Sequence, residues 1–267
     1  MDFDIVRAAV LAFIQGITEF LPVSSSAHLI LPSQLFGWDD QGLAFDMALH
    51  LGSLVAVLFY FRRDLWNVAR AMLTQVAGGQ ASDDSRLGWH IIIATIPVLI
   101  AGLLFSDVAE TSLRSVTVIT ATTLFFGLML GIADRVGRQR GTLGDVTWKI
   151  ALIIGLAQCL AIIPGTSRSG VTMTTALFCG LQRQTAARFS FLLSIPTIGA
   201  AASLAFLELL SQPDINWAEL FFAMLMSALT ALACIHWFLK FIGALGFLPF
   251  VVYRLLLGTF LLFFFVL

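Results

Sequence analysis

Six apolar runs, at 45–61, 89–105, 116–132, 189–210, 218–237 and 247–267, are each 17 residues or longer. A hydrocarbon core about 30 Å thick is crossed by about 20 apolar residues in a helix, so each run can reach across or nearly so. The runs are continuous, whereas barrel strands alternate apolar and polar residues, so a β-barrel is excluded. Charged residues make up 12% of the chain, about half the share of a globular domain. The expected class is an all-α integral membrane protein, a single membrane domain over 1–267.

Two further apolar stretches, 5–36 and 150–180, are interrupted by polar residues. The first break reads Q-G-I-T-E-F-L-P-V-S-S-S-A-H from Gln15 to His28, and the second reads P-G-T-S-R-S-G from Pro164 to Gly170. Pro22 lacks an N–H and its ring clashes with the preceding turn, so a helix from Asp4 stops near it. Ser24 is then the natural N-cap of a new helix starting at Ser25 or Ser26. Irregular backbone at membrane depth needs cover from protein or a wet cavity. Each break is therefore expected to be a re-entrant helix pair, giving six transmembrane helices plus two broken pairs.

Charge orients the chain. With each pair returning to its own side, the polar loops 62–86, 134–149 and 181–188 and the turn at Lys240 share one face. That face carries Arg62, Arg63, Arg70, Arg86, Arg135, Arg138, Arg140, Lys149, Arg183, Arg188 and Lys240, against Arg7 and Arg114 opposite. The positive-inside rule makes it cytoplasmic and both termini external. Shorter loops are read at 37–42, 106–114 and 211–217.

The two halves, about 1–133 and 150–267, resemble each other and are joined by the basic loop 134–149. Pro22 to Ser26 matches Pro164 to Arg168, Phe45 onward matches Phe189 onward, His50 pairs with Ser194, and Gln158 matches Gln15 one residue out of register. Three crossings per half make an inverted-topology repeat, which places the site near the midplane where the tips at 24–26 and 166–169 meet.

Two helix N-termini there would offer free N–H groups and positive dipole ends. Ser24, Ser25, Ser26, Thr166, Ser167 and Ser169 add hydroxyls, and Arg168 adds a planar cation suited to phosphate or to pairing with Glu19. This is an anion site. Glu19 can hold a divalent cation or act as base, His28 can move a proton, and Ser25 can attack phosphorus or bind it. Gln15 lies on the face of Glu19, four residues away. His50 either lines the cavity or packs. His90 and His236, near span ends, are read as interface anchors. Cys159, Cys179 and Cys234, without metal spacing, are read as packing residues, and no removable signal peptide is seen.

These motifs, with A-L-H-L-G-S and A-A-R-F-S-F-L-L-S-I-P, resemble the undecaprenyl-diphosphate phosphatase family of the bacitracin-resistance type over the whole length. The resemblance implies a bacterial plasma-membrane enzyme that converts undecaprenyl diphosphate to the monophosphate, recycling the carrier for cell-wall synthesis. It also implies a divalent cation, Mg²⁺ or Ca²⁺, and a site opening to the outside. Carried over, the acidic motif falls on Gln15 and Glu19, the serine–histidine motif on Ser24, Ser25, Ser26 and His28, and the phosphate motif on Gly165 to Gly170 with Arg168. Many members have glutamate at the position of Gln15, so metal ligation falls to Glu19, alone or with substrate oxygens. The expected partners are the isoprenoid lipid diphosphate and the bilayer, with no nucleic acid; a homo-oligomer is left open. The competing class is a transporter or lipid flippase for a phosphorylated substrate, which needs binding groups but no proton donor.

Overall fold

The computed structural model describes residues 5–38, 42–209 and 216–267. The backbone there is helical, with one isolated bridge between Gly141 and Leu181. In order the helices are α1 (Ile5–Thr18), α2 (Ser25–Phe36), α3 (Gly42–Tyr60), α4 (Arg62–Val76), α5 (Asp83–Ser112), α6 (Val116–Val136), α7 (Trp148–Gln158), α8 (Arg168–Phe178), α9 (Arg183–Leu209), α10 (Trp217–Leu245) and α11 (Leu248–Leu261). A 3₁₀ turn, Cys159–Ile162, follows α7. Among the described residues five helices are long and apolar enough to cross a membrane, or six if the bent pair α3 and α4 counts as one span.

The first apolar stretch breaks where Pro22 requires it. α1 ends at Thr18, and α2 begins at Ser25 with Ser24 as its cap. The second breaks between Ile162 and Arg168.

Four loop expectations are corrected: 183–188 opens α9 and Lys240 lies within α10, where no helix-breaking residue intervenes, and the other two follow. The polar segment 62–86 is mostly α4, bent 74° from α3. Its charges hide an apolar stripe: Leu65 packs on the core, and Val68 is buried. Arg188 donates to Asp64 at 2.9 Å and ties α4 to α9. The segment read as a loop at 106–114 continues α5 as far as Ser112, because nothing in its sequence breaks a helix before Ser112. The turn at 37–42 falls partly, and that at 211–217 largely, outside the described residues.

The core is largely aliphatic, with phenylalanines among its bulkiest side chains. Phe20, Phe61, Phe189, Phe191 and Phe247 are fully buried, and Phe20 meets Phe191 edge to face at 5.1 Å. Phe20 follows Glu19 in the chain and Phe191 follows Ser190, so this contact anchors two backbone segments that frame the site. The three cysteines are free thiols, and Cys234 donates to the Ile17 carbonyl at 3.2 Å.

α10 packs along both α1 and α3. The crossing with α1 is close because Gly16 has no side chain. A Cβ there would lie 2.6 Å from Thr230 Cβ and 2.8 Å from the Ser227 carbonyl oxygen. Small residues at such crossings let backbones approach when no hydrophobic effect drives association in lipid. Gly16→Val is expected to lose about 1–3 kcal/mol by overpacking. Thermal unfolding in detergent reads this as a lowered midpoint, and an unchanged midpoint would refute the close crossing.

Candidate active site

Ser24 and Ser167 do the same local work. Each caps a helix by accepting from the N–H three residues on: Ala27 at 3.5 Å and Gly170 at 3.1 Å. Each hydroxyl also lies 3.2 Å from that of the serine two residues on, Ser26 and Ser169. Each has a left-handed backbone, φ 75° and 72°, which costs a non-glycine residue about 1–3 kcal/mol and concentrates at functional sites. The two are 143 residues apart. That spacing puts Gln158 in register with Gln15, which corrects the one-residue slip expected from the motifs.

Between these caps lies a cavity of about 170 Å³, lined by Glu19, Ser24, Ser25, Ser26, His50, Ala161, Ser167 and Arg168. The tips from the two breaks thus share one pocket. Glu19 is its hub. One carboxylate oxygen accepts from Arg168 Nη2 at 3.1 Å. The other accepts from Ser25 Oγ at 2.7 Å and from Gln15 Nε2 at 3.1 Å. Arg168 also donates to the Ser190 carbonyl at 3.3 Å. The ion pair and the cavity-lining role of Arg168 therefore coexist.

Histidine placement separates His28 from His50. His28 does not line the cavity. Its Nδ1 faces the Ser24 carbonyl at 2.6 Å, and its Nε2 is hydrogen-bonded to the Tyr253 hydroxyl, on which the ring stacks. A carbonyl only accepts, so Nδ1 carries the proton and Nε2 accepts from Tyr253. His50 directs Nδ1 to the Asp46 carbonyl at 2.7 Å, leaving Nε2 toward the cavity, 3.8 Å from Glu19.

The remaining predicted residues stand behind the lining. Ser169 Oγ donates to the Leu21 carbonyl at 2.8 Å and joins the two breaks. Thr166 is buried. Gly165 turns the second break at φ 86°. Ser194 donates to the Phe191 carbonyl at 2.6 Å and does not reach the cavity. The sequence reading passed over Arg254, whose buried guanidinium reaches the carbonyls of Pro22, Gly165 and Thr166. Its signal was present: a lone cation inside an apolar run marks a functional position by default.

The family model described as bacitracin resistance protein BacA matches residues 8–260. The chain belongs to the BacA family. BacA-family relatives named undecaprenyl-diphosphatase include one from Hahella chejuensis, 58% identical over 96% of this chain and 97% of its own. Another, from Teredinibacter turnerae, is 53% identical over 97% and 98%. A third, from Saccharophagus degradans, is 54% identical over 96% of both chains.

Among the described residues no three His, Cys, Asp or Glu side chains gather as a metal cage. The BacA-family site here offers one carboxylate, Glu19. That donor set fits a Mg²⁺-like ion only in the manner of one protein carboxylate completed by phosphate oxygens and water.

Proposed function

We propose that this protein dephosphorylates undecaprenyl diphosphate within the membrane, releasing phosphate and leaving the monophosphate carrier. The observation that carries the reading is Glu19, held between Ser25 Oγ at 2.7 Å and Arg168 Nη2 at 3.1 Å on the wall of a polar cavity. A nucleophile, a base within hydrogen-bond reach and groups that orient the base make an activated nucleophile. At about 30 Å³ per water, the cavity has room for on the order of five waters. It fits a phosphoryl headgroup, and the isoprenoid must lie outside it.

In this mechanism Arg168 and the N–H groups of α2 and α8 take the phosphate oxygens and stabilise charge as it spreads over them. The Ser25 oxygen attacks the terminal phosphorus and passes its proton to Glu19. The bond to the bridging oxygen breaks, and undecaprenyl phosphate leaves. His50 faces the cavity with Nε2 and, as the imidazolium protonated at both nitrogens, delivers the Nε2 proton to the leaving oxygen. A water then attacks the phosphoserine, giving its proton to His50 Nε2, while Glu19 returns the first proton to the departing Ser25 Oγ, and phosphate is released. A divalent cation, Mg²⁺ or Ca²⁺, held by Glu19 and substrate oxygens would neutralise phosphate charge.

Matching geometry at Ser24 and Ser167 supports the reading of two inverted halves, with six crossings and two re-entrant pairs. With the arginine-rich loops inside, both termini lie outside and the site opens to the extracytoplasmic face. No observation favours the carrier reading.

The purified protein in detergent should release phosphate from undecaprenyl diphosphate, and failure to do so rejects the proposal. Labelled substrate should leave phosphoserine at Ser25 in a single turnover; an active Ser25→Ala variant would shift attack to water. His50→Gln should lower kcat by about 10²-fold or more. His28→Gln should cost less than tenfold. A reversed order would return the proton-transfer role to His28.

A further inference from the structure

Arg254 is the one residue of α11 charged at neutral pH, and it is 0% exposed. Its stem crosses α6 at Gly127, where a Cβ would lie 2.9 Å from its own Cβ. A guanidinium has five N–H donors, and all five are used. Nε donates to Thr123 O at 3.2 Å, and Nη1 donates to Pro22 O at 3.3 Å and to Thr166 O at 3.0 Å. Nη2 donates to Thr122 O at 3.3 Å and to Gly165 O at 2.8 Å.

Every acceptor is a backbone carbonyl. Interrupting a helix strands carbonyls that have no partner four residues on, and hydrocarbon supplies none. Arg254 satisfies such groups at both breaks at once, and one nitrogen, Nη1, bridges Pro22 to Thr166. Those residues stand two and one positions before the caps Ser24 and Ser167. The guanidinium also lies directly behind the second tip: a Cβ on Gly170 would meet Arg254 Nη1 at 3.0 Å and Ser167 Oγ at 3.1 Å.

Charge gives the second consequence. Among the described residues Arg254 has no carboxylate partner, whereas Arg168 is matched by Glu19. Carbonyl dipoles solvate the buried cation without cancelling it. Its positive charge therefore stands uncompensated behind the tips, where a diphosphate would supply the missing anion.

We infer that Arg254 is the positioning residue of this site. It fastens the two tips in register and holds the cavity at a net positive potential suited to a multiply charged headgroup, without touching the substrate. The inference rests on the diphosphatase reading and adds to it a residue outside the cavity and a division of labour. The fork sets kcat through geometry, and the charge sets KM through attraction.

The test uses the full-length protein in detergent with undecaprenyl diphosphate. Arg254→Lys keeps the charge and loses the fork. It should lower kcat about 100-fold, the scale of a 1 Å misplacement, with KM within about threefold of wild type. Arg254→Met should lower kcat similarly and raise KM at least tenfold. Inorganic pyrophosphate should raise the unfolding temperature of wild type and of Arg254→Lys, but not of Arg254→Met. Should either variant fail to fold, Gly170→Ala presses on the same guanidinium and leaves α11 unchanged; a kcat loss of tenfold or more at constant KM is expected. Wild-type turnover combined with kcat and KM within threefold in Arg254→Met, or an unchanged kcat in Gly170→Ala where Arg254→Met does not fold, would overturn the inference. A wild type with no turnover would instead strike the diphosphatase reading.

Discussion

Glu19→Gln should reduce phosphate release at least ~10³-fold while tightening the binding of phosphate-like anions. The two effects have opposite signs for one reason. Glu19 occupies Arg168 at 3.1 Å and receives the Ser25 hydroxyl at 2.7 Å. An amide of the same shape cannot take the serine proton, so kcat falls. Arg168, 12% exposed at its side chain and stripped of its anion, then has only the ligand to neutralise it. Breaking a buried pair costs about 3–5 kcal/mol, much of it the unpaired charge, and a bound phosphate would recover part of that. Arg168→Met should also lower kcat, but with weaker anion binding and a higher KM. Phosphate affinity by calorimetry, alongside the phosphate-release rate, checks both signs. Equal loss of binding in the two variants would mean that Glu19 and Arg168 act only as scaffold.

Gly165→Ala should be the most damaging single methyl in the second break. Gly165 sits at φ 86°, where a Cβ costs about 1–2 kcal/mol. That Cβ would also lie 2.7 Å from the Ile119 carbonyl oxygen and crowd the Thr122 hydroxyl, which holds Pro164 O at 2.7 Å. Overpacking adds about 1–3 kcal/mol. Displacing the tip by even 1 Å should then cost about 100-fold in activity. Gly180→Ala separates the causes. Gly180 has φ 87°, but its nearest neighbour to a new Cβ is Arg138 Cβ at 3.8 Å. It should lose only the backbone share of stability and keep its turnover. Thermal midpoints and kcat for the pair measure this directly. Equal damage at both glycines would show that backbone strain alone, and not the fit against α6, governs the tip.

The sequence exposed what is local. Pro22 and the serines after it announce a helix end and a cap within a few residues, and the structure puts both where the dihedral restrictions of proline require. The pairing of Glu19 with Arg168 was legible as chemistry, since neither charge is tolerated alone in hydrocarbon. What was not legible depended on rotation and on distant chain. Ser25 and His28, three apart, were both expected at the reaction centre, yet the turn of α2 sends His28 to Tyr253, 225 residues on, while His50 arrives from α3. No spacing rule relates residues on separate helices. α4 was hidden for another reason: arginines on one face masked the stripe on the other, and charge was read ahead of periodicity. Arg254 was visible as an anomaly, but its five acceptors are backbone oxygens, which leave no trace in residue types.

The small volume of the polar cavity limits what can block it. A competitor confined to about 170 Å³ has on the order of ten non-hydrogen atoms, and its attraction to Arg168 must be won back from water. Potent inhibition would therefore call for an amphiphile: a compact charged warhead tethered to a greasy chain that stays dissolved in the bilayer, so that the membrane itself concentrates the drug at the mouth of the enzyme.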